Sequence, residues 1–335
     1  MNRIKKILLL WYMKDDNFGD LLISETVRLF LEDQGYLVED HEVGEPKENI
    51  INHANQCDMM LFAGGGIIER YMPEVIREFD YVYQNIRIPY GVMGIGIGKF
   101  DYSSYNKQIE TWIRKSMFFY VRDDYTRNEL NSIAKNNKVV FSADCVFGNK
   151  YIKSMKKYYG ENVGLNIRDL PYKDITGDFD WNNIKHLIKK IECNDLIMDS
   201  SKEIINAFCI NNAELKYMQY TKLLPYEKTR FIIQQIEECQ YVVAMRFHVI
   251  LVAAMLGIPC VPIKYCPKVE FLSEQLGIDD VSVDISQFDQ IDVKVRELCN
   301  HRENYVKKIN QNVETLEEKT NKMFDEIKGY LRGDY

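Results

Sequence analysis

Tyr241-Val242-Val243-Ala244-Met245, followed by Arg246-Phe247-His248 and then by Val249-Ile250-Leu251-Val252-Ala253-Ala254-Met255-Leu256-Gly257, is the stretch on which the fold turns. The first five residues read as a buried strand, and the second apolar run, ending on a glycine, reads as a buried helix. Arg246 and His248 are caught at the junction. Packing explains them poorly there, because burying a charge without a partner is costly. An anion at the helix N-terminus would satisfy both, and Lys268, about twenty residues further on, would strengthen the site.

Outward from that junction the same grammar repeats. Short apolar runs alternate with helical patterns, which is the mark of parallel sheets flanked by helices, an α/β class. In the first half the expected strands are Lys6 to Tyr12, Tyr36 to Glu39, Asp58 to Ala63, Tyr90 to Ile95, Phe118 to Arg122 and Val139 to Ala143. A helix is predicted over about Asp20 to Gln34, with Ile23, Val27, Phe30 and Leu31 on one face and Gly35 as a left-handed cap. The polar stretch Asn149 to Glu161 separates a second cycle that opens with Val163-Gly164-Leu165-Asn166-Ile167. Its further strands are expected near Leu196 to Met198, Leu215 to Gln219, Tyr241 to Met245 and Cys260 to Ile263. From about Ile291 a long helix is expected to bury Val295, Leu298, Val306, Ile309, Val313, Leu316 and Met323. The domains would then be residues 1–155, 156–290 and a helical segment 291–335.

Size and composition agree. A chain of 335 residues exceeds the length at which one core stops growing, and 46% hydrophobic with 28% charged residues is ordinary for a globular protein. The net charge of -7 is spread along the chain, which argues against nucleic acid as a partner, so an anion must be met locally. Cys57, Cys145, Cys193, Cys209, Cys239, Cys260, Cys266 and Cys299 form no C-x-x-C pair and no zinc spacing, and read as reduced core thiols. The apolar run Ile7 to Met13 is short, lacks a cleavage site and enters Lys14-Asp15-Asp16, so it is a first strand rather than a signal peptide. Val249 to Ile263 is too short to span a bilayer and is broken by Gly257, Pro259 and Pro262. A cytoplasmic enzyme that holds a small anion in the cleft between its halves is the expectation.

Loops beyond the carboxyl ends of parallel strands are where such sheets bind ligands. Asn17-Phe18-Gly19-Asp20 follows the first strand, and Asn17 or Asp20 is either a ligand contact or a helix cap. Gly64-Gly65-Gly66 allows positive φ angles and close approach of a ligand to the backbone. The run Gly91 to Lys99 resembles a nucleotide loop but has Met93 where a P-loop needs glycine, Phe100 where it needs Ser or Thr, and the wrong spacing for a dinucleotide site. Close strand packing at Gly94 and a turn facing the cleft account for it better. Arg122 either pairs with Asp123 and Asp124 or serves the site, and Asp144 is either a cap or a cleft residue.

In order, Asn17-Phe18-Gly19-Asp20, Gly64-Gly65-Gly66, Gly94-Ile95-Gly96, Val121-Arg122-Asp123, Ala143-Asp144, Arg246-Phe247-His248 and Tyr265-Cys266-Pro267-Lys268 resemble the polysaccharide pyruvyl transferase family. The resemblance implies two Rossmann-like domains arranged as in GT-B glycosyltransferases, the first on the acceptor side and the second on the donor side. It also implies transfer of pyruvate from phosphoenolpyruvate to a sugar of a surface polysaccharide or its precursor, as a cyclic ketal. By motif position His248, Arg246, Lys268 and Arg122 match the family's functional basic residues, with Asn17, Asp20, Gly64, Gly65, Gly66, Gly94 and Asp144 around the substrates. Between Ile167 and Tyr241 no landmark of the family is found.

The residues suit that chemistry. Guanidinium groups bind phosphate and carboxylate through paired hydrogen bonds, and imidazole titrates near neutrality, which makes His248 the natural proton carrier. Cationic side chains can stabilise the departing phosphate, so neither a metal nor a cofactor is required beyond phosphoenolpyruvate as co-substrate. The partners expected are that donor and a saccharide, with no transmembrane segment; a lipid-linked acceptor would be met from the membrane surface. Three other readings share the fold: a glycosyltransferase with a nucleotide-sugar donor, a non-catalytic module of glycan synthesis, and a related transfer to a small thiol or hydroxyl compound. The 22 tyrosines include rings that could stack on sugars, but most read as partly buried.

Overall fold

The computed structural model describes residues 5–11, 17–42, 45–68, 72–98, 103–155, 160–167, 181–197 and 213–334. The chain divides into two compact units, one of Met1–Lys14, Leu22–Asn149 and Leu316–Tyr335, the other of Asp15–Leu21 and Lys150–Thr315.

The first unit carries β1 (Lys6–Trp11), most of α1 (Phe18–Glu32), β2 (Leu37–Glu42), α2 (Lys47–Ala54), β3 (Met59–Ala63), β4 (Gly66–Ile68), α3 (Met72–Asn85), β5 (Tyr90–Ile97), α4 (Asn106–Lys115), β6 (Phe119–Val121), α5 (Asp124–Ala134) and β7 (Val139–Phe141). Its strands lie in the order β2-β1-β3-β5-β6-β7 with β4 beside β5, every pairing parallel. The central strands β1, β3 and β5, rich in Leu, Ile, Val and Met, bury both faces, as a sheet covered by helices requires. The aromatic centre of this core is Trp112, whose ring stacks on Phe79 at 5.2 Å and meets Phe119 edge-on at 5.4 Å. The chain's last helical turns close the unit: Phe324 stacks on Phe30 at 4.2 Å, and Tyr330 lies 5.1 Å from Phe118.

The second unit carries α6 (Lys150–Ser154), β8 (Asn162–Asn166), α7 (Trp181–Lys190), β9 (Asp195–Leu196), α8 (Ala213–Tyr220), α9 (Pro225–Glu237), β10 (Cys239–Ala244), α10 (Phe247–Met255), β11 (Cys260–Lys264), α11 (Pro267–Leu276), β12 (Val283–Asp284), α12 (Ile291–Asn300) and the start of α13 (Arg302–Arg332). Strand order is β12-β11-β10-β8-β9, again parallel throughout. The strand and helix read from residues 241–257 are thus the central strand β10 and helix α10, all nine of whose residues are buried.

Several expectations need correction. Leu215 to Gln219 is not a strand but part of α8. The segment contains Leu, Lys, Met and Gln, which favour helix, and no β-branched residue, while its Met218 stands 51% exposed. The edge strands β4 and β12, of three and two residues, are too short to leave a pattern in the sequence. The C-terminal helix begins only at Arg302, because His301, with φ -119° and ψ 25°, separates it from α12. Of the apolar residues expected on it Val306 is only half-buried, and the other six are buried. Gly35 takes φ +82° three residues after α1, the left-handed conformation expected of it. Tyr12, Lys14 to Asp16, Lys99, Phe100, Met198 and Cys209 lie outside the described residues.

Candidate functional site

Pairing of β10 with β8 runs as far as Ala244 opposite Asn166. The Met245 N–H then donates to the Asn166 carbonyl at 3.0 Å, and the Arg246 N–H donates to the Asn166 side-chain Oδ1 at 3.0 Å. Arg246, with φ -77° and ψ 128°, is the N-cap of α10, and its carbonyl accepts from the N–H groups of Val249 and Ile250, both at 3.1 Å. It supplies no side-chain cap. Arg246 and His248, the latter in the first turn, are both buried, each 8% exposed.

The next loop opens at the same edge. β11 runs parallel beside β10, with Ala244 opposite Pro262, so both strands end on the same side of the sheet. Cys266 is the N-cap of α11, and Pro267 takes the first helical position, where its missing N–H costs nothing. Lys268 follows, half-buried in the first turn. Lys264, at the end of the strand, is instead drawn to Asp279 at 3.1 Å.

The loop that precedes α1 belongs to this unit as well. Asn17 Oδ1 accepts from the N–H groups of Gly19 at 2.9 Å and Asp20 at 3.3 Å, and its carbonyl accepts from Leu21 at 3.1 Å, so Asn17 caps α1. Asp20, half-buried in the first turn, complements the helix dipole. A Cβ on Gly19 would lie 1.9 Å from His248 Nδ1 and 2.6 Å from Cγ. The imidazole therefore rests directly on the Gly19 backbone, and any side chain there would displace it. Gly19 was legible as part of a motif, and a glycine in a helical first turn, where it costs about 1 kcal/mol, signals such a close approach. Asn166 carried no such signal, since an asparagine after four strand residues reads as an ordinary strand end.

Another group of predicted residues gathers at the carboxyl edge of the first unit's sheet. Arg122, 4% exposed at the end of β6, directs Nη1 to Asp144 Oδ2 at 3.4 Å. Asp144 also caps its own turn, with Oδ1 accepting the Val146 N–H at 3.0 Å, and its carbonyl accepts from Thr320 Oγ1 at 3.2 Å. Asp123 caps α5 through the Thr126 N–H at 2.7 Å, and Asp124 pairs with Arg127 at 2.8 Å. Arg122 is thus met not by the carboxylates of its own loop, as one reading of the sequence had it, but by one that follows the next strand. A Cβ on Gly96 would fall 2.5 Å from Arg122 Nε, so the guanidinium lies over bare backbone. Burial, with the Asp144 charge adding to it, holds the Cys145 thiol well above its ordinary range.

Gly64 and Gly65 have φ +59° and +89°, and a Cβ on Gly64 would meet Ile23 at 2.4 Å. Gly66 opens β4 opposite Gly96, and the Gly65 carbonyl accepts the Gly96 N–H at 3.0 Å. Gly94, at φ +69°, stands where a Cβ would meet Cys145 Sγ at 2.4 Å, which is the close packing expected of it. Of the predicted site residues, Asn17, Asp20, Arg246, His248 and Lys268 thus belong to the second unit, and Gly64, Gly65, Gly66, Gly94, Arg122 and Asp144 to the first. Among the described residues no cluster of three or more His, Cys, Asp or Glu could hold a metal ion, and no helix is long and apolar enough to cross a membrane.

Comparison with solved structures supports the architecture. A proposed UDP-N-acetylglucosamine 2-epimerase of Listeria monocytogenes superposes with a TM-score of 0.61 at 11% identity, covering 98% of this chain and 97% of that one. MnaA of S. aureus, in a structure with UDP, gives 0.56 at 11% identity, with 98% and 97% covered. A functionally uncharacterised protein of Klebsiella pneumoniae gives 0.50 at 19% identity, covering 79% of this chain and 86% of that one. Identities this low speak for the fold alone, two Rossmann-like units of the GT-B kind. No curated protein matches the chain. Residues 17–267, which run from the cap of α1 to the first helical residue of α11, match the family model described as polysaccharide pyruvyl transferase, and the chain belongs to that family.

Proposed function

We propose that the protein transfers the pyruvyl group of phosphoenolpyruvate to two hydroxyls of a saccharide, closing a cyclic ketal and releasing phosphate. The observation that carries this reading is that Arg246, His248 and Lys268 all follow the carboxyl ends of neighbouring parallel strands, with the His248 ring set against the Gly19 backbone. Arg246 and Lys268 are cations for the phosphate and carboxylate of the donor, and the N-terminus of α10 adds its partial positive charge. The charge of Arg122 is already offset by Asp144, so in this reading Arg122 organises the first sheet's edge. The glycines at 64, 65, 66 and 94 shape that edge in the same way, and Asn17 and Asp20 form the helix start that carries Gly19.

The chemistry balances without further reagents. Protonation of the donor's methylene carbon makes the adjacent carbon electrophilic, and a sugar hydroxyl adds to it. The bond to phosphate breaks, and a second hydroxyl closes the ring. Of the two hydroxyl protons, one is accounted for by the new methyl group and the other by hydrogen phosphate. His248 is the carrier between these positions, since an imidazole can both accept and donate a proton. No cofactor enters the balance, and we place the reaction in the cytoplasm, where phosphoenolpyruvate is available.

The test is donor choice. Incubated with saccharide acceptors, the protein is expected to release phosphate from phosphoenolpyruvate and to leave a panel of nucleotide sugars intact. Consumption of a nucleotide sugar instead would make it a glycosyltransferase, and binding of phosphoenolpyruvate without turnover across many acceptors would make it a binding module.

A further inference from the structure

Asn166 ends β8 between β10, whose last residue Ala244 lies opposite it, and β9, which ends one residue earlier with Leu196 opposite Leu165, and it is 1% exposed. Its main-chain carbonyl accepts the Met245 N–H at 3.0 Å in the manner of a ladder bond. Its side chain then adds two bonds where strand pairing has stopped: Oδ1 accepts the Arg246 N–H at 3.0 Å, and Nδ2 donates to the Ile197 carbonyl, just past β9, at 3.2 Å. One carboxamide thus ties together the carboxyl ends of β9, β8 and β10. We infer that Asn166 is a positioning residue for the donor junction, acting through the main chain of Arg246, and the inference rests on the reading of Arg246 and His248 given above.

The physical case has two parts. Fixing the Arg246 N–H fixes the N-cap from which α10 departs, and with it the direction in which the first turn presents His248. A misplacement of about 1 Å at a reacting group can lower a rate by roughly 100-fold. The second part is charge. Few side chains other than a primary carboxamide can accept from Arg246 and donate to Ile197 across this span while remaining neutral. An aspartate would keep the first bond, oppose the Ile197 carbonyl and place a negative charge beside a site for an anionic donor.

Gln235 provides the control. Buried in α9, it donates from Nε2 to the Leu196 carbonyl at 3.1 Å, so it ties the same edge strand, while the Arg246 N–H is held by Asn166. Asn166→Ala, Asn166→Asp and Gln235→Ala are to be compared by amide hydrogen exchange over residues 245–250 and by kcat and KM for phosphoenolpyruvate. Asn166→Ala is expected to speed exchange in that segment and to lower kcat by about 10- to 100-fold, while Gln235→Ala leaves both unchanged. Asn166→Asp is expected to act on KM, raising it about tenfold or more through its charge. The inference is overturned if Asn166→Ala tracks Gln235→Ala in exchange and kinetics, or if Asn166→Asp binds phosphoenolpyruvate as tightly as the wild type. Should the wild-type protein neither bind nor turn over phosphoenolpyruvate, the donor assignment falls, and exchange over residues 245–250, which needs no ligand, still decides the role of Asn166.

Discussion

Arg122 and Arg246 occupy equivalent places in the two units, each just beyond a parallel strand that is buried on both faces, yet their surroundings differ in one respect. Beside Arg122 the neighbouring strand leads into Asp144, a carboxylate, and the two side chains form an ion pair with 4% and 1% of their surface exposed. Beside Arg246 the neighbouring strand ends in Asn166, a carboxamide that bonds the main chain and brings no charge. The first arrangement sets a buried cation against a carboxylate of its own unit, and the second fixes the main chain from which α10 departs. An arginine at a strand end is therefore not itself the signature of a site. What differs is the group that the neighbouring strand's side chain meets, the guanidinium of Arg122 or the main chain of Arg246.

The strongest test of that distinction is at the chemistry. His248→Ala should lower phosphate release from phosphoenolpyruvate by about 100- to 10,000-fold while calorimetric affinity for the donor stays within about threefold of wild type. Near-normal turnover would remove His248 from the mechanism and with it the contrast between the units. Arg122→Ala should do the reverse. It removes the cation facing the buried Asp144 carboxylate and is expected to cost about 3–5 kcal/mol in urea unfolding with little change in donor KM. A loss of donor affinity matching that of Arg246→Ala would erase the difference drawn here.

Gly19 and Gly96 sharpen the comparison, since each lies against a cationic or titratable side chain of its own unit. Gly19→Ala must push the His248 ring aside and is expected to lower kcat by about 10-fold or more, with a destabilisation of about 1–3 kcal/mol. Gly96→Ala, against Arg122, should show the destabilisation in a thermal melt without the kinetic loss.

The smallest effect is expected from acid at the first unit's edge strand. Burial pushes the Glu45 carboxyl up, but the Glu42 N–H, the hydrogen bond to His41 at 2.7 Å and the charges of His41 and His53 outweigh it and hold the group below its ordinary value of 4.5. A carboxyl depressed in the folded state contributes stability above its unfolded pKa and loses it as pH falls through the folded value. Glu45→Gln should therefore lower stability slightly at neutral pH, a difference that closes below about pH 4.5 and so flattens the acid limb of unfolding.

Much of this was legible in the sequence because it is local. The helix after β1, the Gly35 cap and the buried strand-to-helix junction at residues 241–257 each follow from periodicity and capping within a dozen or so residues. The exception, α8, had the composition of a helix but an apolar run short enough to imitate a strand. Asn17 and Asp144 were each open between cap and ligand contact, and both turn out to cap, because their side-chain oxygens reach N–H groups two residues ahead.

What the sequence by itself determined is therefore the kind of protein: two cycles of parallel strands with cationic side chains at the strand ends, set by spacing and residue type. Which carboxylate meets Arg122, which neutral side chain holds Arg246, and that Gly19 lies under His248 were decided only in three dimensions. The partners in the first two cases are 22 and 80 residues apart, and strand order, not sequence distance, makes them neighbours. Short-range rules describe how a segment folds; the charge balance of a buried site depends on which segments the sheet places side by side.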